Sequence, residues 1–217
     1  MSTLNHLMVD IETFGTRPNA PIVSIGACFF EPETGHIGPK FYRAIDIEDS
    51  MRFGVPDGGT IKWWLKQSDE ARASAIEGTM SLADVLTDFA DFYKTGRNPQ
   101  LWGNGASFDP VLLEYAFIRC TGHKAPWDFW NIRCVRTITE LAKGICDKPK
   151  TFGKGTAHNA LDDAIHQAEY VSKMWQALKG IRAPAQADDL TRAYSREEID
   201  AAAAKKPAKP VYDPLEI

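Results

Sequence analysis

Three short motifs contain residue types that suit metal-assisted hydrolysis, and the first is V-D-I-E-T with Asp10 and Glu12. Residues two apart on a strand point to the same face, so these carboxylates can share a hard cation. A solvated strand end would carry the same pair, and D-x-E is too short a pattern to decide between the two interpretations alone.

The second motif, N-G-A-S-F-D-P, places Asp109 about 100 residues further along the chain. Asp109 precedes Pro110, and an aspartate cap followed by proline at the first helical position is also a common structural device. This motif by itself therefore predicts a helix start more strongly than a functional site.

The third motif, H-N-A-L-D-D-A, places His158 and Asp163 at the start of a late helix, about 50 residues after Asp109. A cap at Asn159 and the preference for acids in a first turn explain the aspartate. They do not explain His158, and histidine is the residue type best suited to accept a proton at neutral pH.

Together the motifs supply carboxylates that can bind hard cations and a histidine that can take up a proton, which suits metal-assisted hydrolysis. Two divalent ions roughly 4 Å apart can bind both the attacking and the leaving oxygen. Oxygen ligands favour Mg²⁺ or Mn²⁺ over zinc. Since crowded carboxylates cannot all stay ionised without cations, we expect metal to assemble such a site.

The elements that must position these motifs follow from periodicity and turn residues. Strands are predicted first and helices later, which indicates an α/β sheet covered by helices. The predicted strands are Leu4–Asp10, Ile22–Glu31 and Lys40–Asp46, forming an antiparallel meander, and later Gln100–Gly103. The predicted helices are residues 60–78 with a break near Ser68, Ser81–Lys94, Pro110 to about Cys120 with Asp109 at the cap, Val135–Lys143, and Asn159 or Ala160 to about Leu178.

Length and composition predict one compact domain, residues 1–180, because 44 % of the 217 residues are hydrophobic. Residues 181–217 are rich in Ala, Pro, Lys and Asp, and predict a partly disordered tail with one short helix at a Ser195–Glu198 capping box. No apolar run approaches the roughly 20 residues of a membrane helix, and the N-terminus does not resemble a signal peptide. We therefore expect a cytoplasmic protein without a membrane partner.

Charge and cysteine content narrow the function classes further. The net charge of −4 argues against a module that binds nucleic acid by bulk electrostatics, but not against a nuclease whose metal ions bind phosphate. The four cysteines form no C-x-x-C pair, so we expect reduced and mostly buried thiols rather than a zinc ribbon.

The order and spacing of the three motifs resemble the DEDDh (DnaQ-like) 3′→5′ exonuclease family across about residues 4–178. The segment T-I-K-W-W-L-K-Q-S further resembles a branch of small bacterial and phage exonucleases. The resemblance implies a ribonuclease-H-like α/β fold, with a mixed five-stranded sheet flanked by helices.

The resemblance also implies roles for the motif residues. Asp10, Glu12 and Asp163 match the ligands of a first metal, and Asp10 matches the bridge to a second. Asp109 matches the carboxylate that holds the second metal, and His158 matches the general base. These five residues are the candidate catalytic residues.

Residues just after D-x-E hold the terminal nucleotide in the family, which makes Thr13 and Phe14 candidate substrate contacts. Phe14 suits base stacking and core packing equally well. Trp63 and Trp64 point about 100° apart on a helix, so one is expected in the core while the other faces substrate or a partner. We select Trp64 as a candidate substrate contact.

Three lysines precede His158 and can contact backbone phosphates or simply form a solvated loop. They are Lys148, Lys150 and Lys154.

The implied function is 3′→5′ hydrolysis of single-stranded DNA or RNA, releasing nucleoside 5′-monophosphates with two Mg²⁺ or Mn²⁺ ions. The sequence leaves the choice between DNA and RNA open. An endonuclease on the same fold and a non-catalytic nucleic-acid or polymerase-binding module are the rivals. A homodimer, and a polymerase or other protein partner bound by the tail, also remain open.

Overall fold

The computed structural model describes residues 5–152, 155 and 157–180. The predicted tail, including the capping box at Ser195, lies outside these described residues. The strands are β1 His6–Thr13, β2 Ile22–Glu31, β3 His36–Ala44, β4 Gln100–Gly103 and β5 Ile132–Cys134. The α-helices are α1 Ile47–Met51, α2 Gly58–Trp64, α3 Asp69–Ile76, α4 Leu82–Lys94, α5 Asp109–Ala116, α6 Val135–Ala142 and α7 Ala160–Gly180.

The five strands form one mixed sheet in the order β3-β2-β1-β4-β5. β1, β2 and β3 are the antiparallel meander predicted from the sequence, whereas β4 and β5 run parallel to β1. This confirms the predicted fold class. Because parallel strands end at the same sheet edge, the carboxyl ends of β1 and β4 bring Asp10 and Asp109 together.

Both faces of the sheet are covered, which explains why β2 reads as an almost continuous apolar run. On one face, Phe29 packs in a cluster with Phe89 of α4 and Leu113 of α5. On the other face, Cys28 packs in a cluster with Ala168 of α7. Of the four cysteines, all free, only Cys28 is buried, so the expectation of mostly buried thiols is wrong for the other three.

Helix α7 approaches β2 at Gly26, whose Cα pairs with that of Asp10 on β1. A Cβ at Gly26 would lie 2.1 Å from the carbonyl carbon of Ala160. Only glycine therefore allows the first turn of α7 to rest on the sheet next to Asp10.

Helix boundaries agree with capping chemistry at two predicted positions. Ser81 caps α4, and Ser68 caps α3 at the predicted break. Asp109 is not the cap of α5: Phe108 occupies that position without a side-chain hydrogen bond, and Asp109 is the first helical residue. Its carboxylate is consequently available to β1.

Strand β5 escaped prediction because three residues are too few for a periodic pattern. Within the part of the chain that the structure describes, no helix has the length and apolar character needed to cross a membrane.

Candidate active site

The predicted catalytic residues line one cleft of about 260 Å³ at the carboxyl ends of β1 and β4. They are Asp10, Glu12, Asp109, His158 and Asp163. Three segments that are far apart in the sequence thus converge in one cleft, as the motifs predicted.

Asp109 is 2 % exposed, and its carboxylate faces the strand that carries the first motif. The Ile11 amide, between Asp10 and Glu12, donates a hydrogen bond to Asp109 Oδ1 at 3.3 Å. The other oxygen, Oδ2, is buried without a hydrogen-bond partner among the described residues. A buried carboxylate oxygen in this state is suited to bind a cation.

The carboxylate of Asp10 is held by a side chain of α7. Gln167 Nε2 donates to Asp10 Oδ1 at 2.7 Å. Gln167 is 5 % exposed, and its own Oε1 is the second buried side-chain atom without a partner in the described structure.

The third motif brings His158 and Asp163 to Glu12. The His158 amide donates to Asp163 Oδ2 at 2.8 Å. One ligand atom each from Glu12, His158 and Asp163 lie within 4.8 Å of one another. His158 has φ 65°, a left-handed conformation that is costly for a residue with a Cβ and is often found at functional sites.

The imidazole of His158 packs against α2. Its ring centroid lies 4.8 Å from that of Trp63, in a nearly perpendicular arrangement, and 6.4 Å from that of Trp64. Trp63 is 41 % exposed, so the residue that His158 packs against remains partly open to solvent.

Burial raises the pKa of every carboxyl group in the cluster, and repulsion from neighbouring acids of the cluster adds to this for Asp10 and Glu12. Burial, reinforced by the charges of Asp163 and Asp109, raises the pKa of Glu12 to about 8. Burial raises the pKa of Asp109 to about 7, against the hydrogen bonds it receives. Burial, followed by the neighbouring acids, raises the pKa of Asp10 well above its usual value, and burial also raises the pKa of Asp163. Such a cluster binds protons or cations at neutral pH, and its oxygen donors suit Mg²⁺ or Mn²⁺.

The predicted substrate contacts lie largely in the core. The Thr13 hydroxyl donates to the Gly15 carbonyl at 2.7 Å, and Phe14 packs in a buried cluster with Trp64. Trp64 is 5 % exposed and donates Nε1 to the Thr13 carbonyl at 2.9 Å. Trp63, not the selected Trp64, is therefore the exposed member of the pair. Substrate contact by Thr13, Phe14 or Trp64 stays a prediction.

Sequence reasoning gave no site role to three polar residues that line the cleft: Asn104 of the second motif, Arg136 and Gln167. Gln167 stands four positions after Asp163, so helical periodicity puts both on one face of α7 and could have found it. Arg136 near the start of α6 gave no such signal.

Comparison with known proteins agrees with this geometry. The family model described as "3′-5′ exoribonuclease Rv2179c-like domain" matches residues 5–175. An exodeoxyribonuclease of Enterobacteria phage T4 is 26 % identical over 225 residues, covering 89 % of this chain and 95 % of the phage protein.

Two solved structures share the fold at low sequence identity. The nuclease domain of 3′hExo, a DEDDh family member bound to rAMP, has a TM-score of 0.52 and 16 % identity over 80 % of this chain and 92 % of that domain. E. coli exonuclease I in complex with a dT13 oligonucleotide has a TM-score of 0.54 and 16 % identity over 83 % of this chain. This chain spans only 41 % of the length of exonuclease I.

The fold and the acidic cleft thus define a nuclease of the DEDDh type, which confirms the resemblance found in the motifs. More specifically, the chain belongs to the 3′-5′ exoribonuclease Rv2179c-like family and is a 3′→5′ exonuclease.

Proposed function

We propose that this exonuclease hydrolyses single-stranded RNA or DNA with two Mg²⁺ or Mn²⁺ ions and releases nucleoside 5′-monophosphates. One observation carries the proposal: four carboxylates and His158 line a single cleft in which a buried oxygen of Asp109 has no hydrogen-bond partner among the described residues. Burying several acids close together costs free energy. If the site had a purely structural role, neutral side chains would fill it at a lower cost.

Asp10, Glu12 and Asp163 would hold the first ion, Asp10 would bridge to the second, and Asp109 would complete the second site. When bound, the ions supply charge neutralisation on the scissile phosphate and a nucleophile at neutral pH. On binding the ions, the carboxylates would lose the protons that they hold in the metal-free cleft.

His158 would act as the general base. Its imidazole borders Glu12 and Asp163 and can accept the proton of the attacking water as the bond to the 3′-oxygen of the preceding nucleotide breaks. The terminal nucleotide then leaves with the phosphate on its 5′ side. Arg136 lines the same cleft and offers a positive charge to that phosphate.

The nucleic-acid type stays open between RNA and DNA. The family is described as exoribonuclease, whereas the phage relative is an exodeoxyribonuclease. A contact to the 2′-hydroxyl would separate the two substrates, so both have to be tested with one sequence.

The first experiment uses 5′-labelled RNA and DNA strands of one sequence, with Mg²⁺, Mn²⁺ or EDTA. We expect a ladder that shortens from the 3′ end in either metal and no cleavage in EDTA. Failure to cleave either strand in both metals would contradict the proposal and favour a non-catalytic binding module.

A second experiment tests the base. We expect His158→Ala to lower kcat by about two to four powers of ten while Mn²⁺ binding, measured by calorimetry, is largely retained. His36→Ala, on the exposed end of β3, is the matched control and should keep full activity. Turnover of His158→Ala near the control value at pH 7 would reject the base assignment. Substantial activity in Asp10→Ala would reject the shared-ligand model.

The division into an exonuclease domain, residues 1–180, and a tail, residues 181–217, stays a prediction. The cytoplasmic location, the homodimer and the protein partner of the tail stay predictions as well.

A further inference from the structure

A second cavity, which we call the side pocket, opens beside the catalytic cleft and has a volume of about 220 Å³. Asn104, Asp163 and Gln167 line both cavities, so the two are neighbours across a shared wall. The rest of the side pocket is formed by Lys148, Pro149, Lys150, Thr151, Phe152, His166 and Tyr170.

The charge of the side pocket is opposite to that of the cleft. Among its described lining residues, Asp163 is the one acid, whereas Lys148 and Lys150 contribute two cations. Lys148 Nζ lies 5.5 Å from the centroid of the Tyr170 ring, a cation–π distance that keeps this charge at the pocket.

Aromatic rings give the side pocket a defined wall. The His166 ring lies between Phe152, at 4.8 Å between centroids, and Tyr170, at 5.3 Å. Tyr170 is 2 % exposed and anchors this stack in the core of α7. Lys148 is therefore presented over a packed aromatic surface, and Lys150 lines the same pocket two residues further on.

Substrate chemistry identifies what the side pocket can bind. A strand attacked from its 3′-hydroxyl end carries no phosphate beyond the scissile one on the 3′ side. The nearest second phosphate must then belong to the next linkage on the 5′ side. The side pocket shares Asp163 and Gln167 with the cleft, and it carries positive charge. It is therefore placed to bind that second phosphate.

We propose that Lys148 and Lys150 bind the backbone phosphate immediately 5′ of the scissile one, an inference that rests on the proposed exonuclease function. The subsite offsets the repulsion between the acidic cleft and an incoming polyanion. It also makes the enzyme prefer strands with at least two phosphates.

The test removes the negative charge of one phosphate, the one immediately 5′ of the scissile phosphate. Ten-residue DNA strands carry a neutral methylphosphonate at the second linkage from the 3′ end, or natural linkages throughout. Both are compared in the wild type and in the double variant Lys148→Gln, Lys150→Gln, which alters only exposed side chains. If the wild type cleaves only RNA, RNA strands of the same design replace the DNA.

For the wild type we expect the methylphosphonate to lower kcat/KM about tenfold, as for loss of a charge-assisted hydrogen bond. The double variant should lose about as much on the natural strand, and the methylphosphonate should then cost it little more. In a log–log plot of affinity against salt concentration, the slope for the double variant should be shallower by about 0.7, the value for one phosphate contact on a single strand.

The matched control is Lys124→Gln, Lys143→Gln, which removes two exposed lysines that line neither cavity. It should keep both the natural rate and the full methylphosphonate effect. If the Lys148, Lys150 variant also keeps the full methylphosphonate effect, the subsite is refuted. A wild type that does not cleave natural RNA or DNA strands would instead refute the proposed exonuclease reaction on single strands.

Discussion

At the scale of single residues, the buried side-chain amide of Gln167 orients Asp10, the proposed shared metal ligand. Gln167 donates to Asp10 Oδ1 and thereby turns the remaining lone pairs of that carboxylate toward the cleft. Partners of this kind, which touch a metal ligand and not the metal, commonly change metal affinity or activity 10- to 100-fold when removed.

We expect Gln167→Met to raise the Mn²⁺ concentration for half-maximal activity about tenfold, because Asp10 loses its orienting donor. Gln176→Met is the matched control: it lies on the same helix, but its Nε2 donates to the Pro32 carbonyl far from the cleft. The measurement is activity against Mn²⁺ concentration. Equal metal requirements in the two variants would show that Gln167 does not orient the ligand.

At the scale of elements, α2 contributes to the site through two adjacent tryptophans. Trp64 anchors the helix by its bond to the Thr13 carbonyl, and the helical turn of about 100° per residue then directs Trp63 to His158. Trp63 is therefore a positioning residue for the proposed base.

We expect Trp63→Ala to lower kcat about two- to tenfold, the range that corresponds to one aromatic contact, and Trp63→Phe to restore most of it. Trp130→Ala removes another exposed tryptophan, whose ring packs against Phe129 and not against His158, and should leave kcat unchanged. Rates of these variants are compared with that of the wild type at saturating substrate. A kcat for Trp63→Ala equal to that of Trp130→Ala would exclude the positioning role.

The contact between α7 and β2 is the second element-scale feature, because it sets the distance from Asp163 and Gln167 to β1. We expect Gly26→Ala to lower the free energy of unfolding by about 1–3 kcal/mol or more, since the new methyl group would overlap the Ala160 backbone. Activity should fall as well, because α7 must move to accommodate the methyl group.

Urea denaturation of Gly26→Ala and of the control Gly58→Ala tests this packing. A Cβ at Gly58 would meet no atom within 4 Å, so that variant should remain close to wild-type stability. Similar unfolding free energies for the two variants would contradict the close packing at Gly26.

At the scale of the whole molecule, the acidic cluster links stability to pH and metal. The carboxyl groups of Glu12 and Asp109 have pKa values of about 8 and about 7 in the folded, metal-free protein, above their ordinary values of 4.5 and 3.8. At pH values between the ordinary and the raised pKa, the folded state holds protons that the unfolded state has released. The free energy of unfolding therefore falls as pH rises. Cations replace those protons.

We therefore expect the Tm in EDTA to fall from pH 5 to pH 8, and the increase in Tm on adding Mn²⁺ to grow over the same range. Calorimetric scans with and without Mn²⁺ at several pH values measure both effects. An increase in Tm that is independent of pH would mean that the carboxyl groups are already ionised in the metal-free protein.

The sequence by itself determined the fold class, the family and the five candidate catalytic residues. The meander, the break at Ser68 and the cap at Ser81 were predictable because alternation, helical period and capping are local properties of the chain. The candidate chemistry could be predicted as well, because it depends on residue type and on the order of the motifs. It rests on Asp10, Glu12, Asp109, Asp163 and His158.

Only the tertiary structure decided which neighbours complete the site. The choice between Trp63 and Trp64 depends on which face of α2 meets the sheet, and the hydrogen bond from Gln167 depends on how closely α7 approaches at Gly26. The pairing of Lys148 with Tyr170 likewise joins segments whose distance no local pattern encodes. The physical reason is that local periodicity sets an element and its faces, whereas long-range packing selects what each face touches.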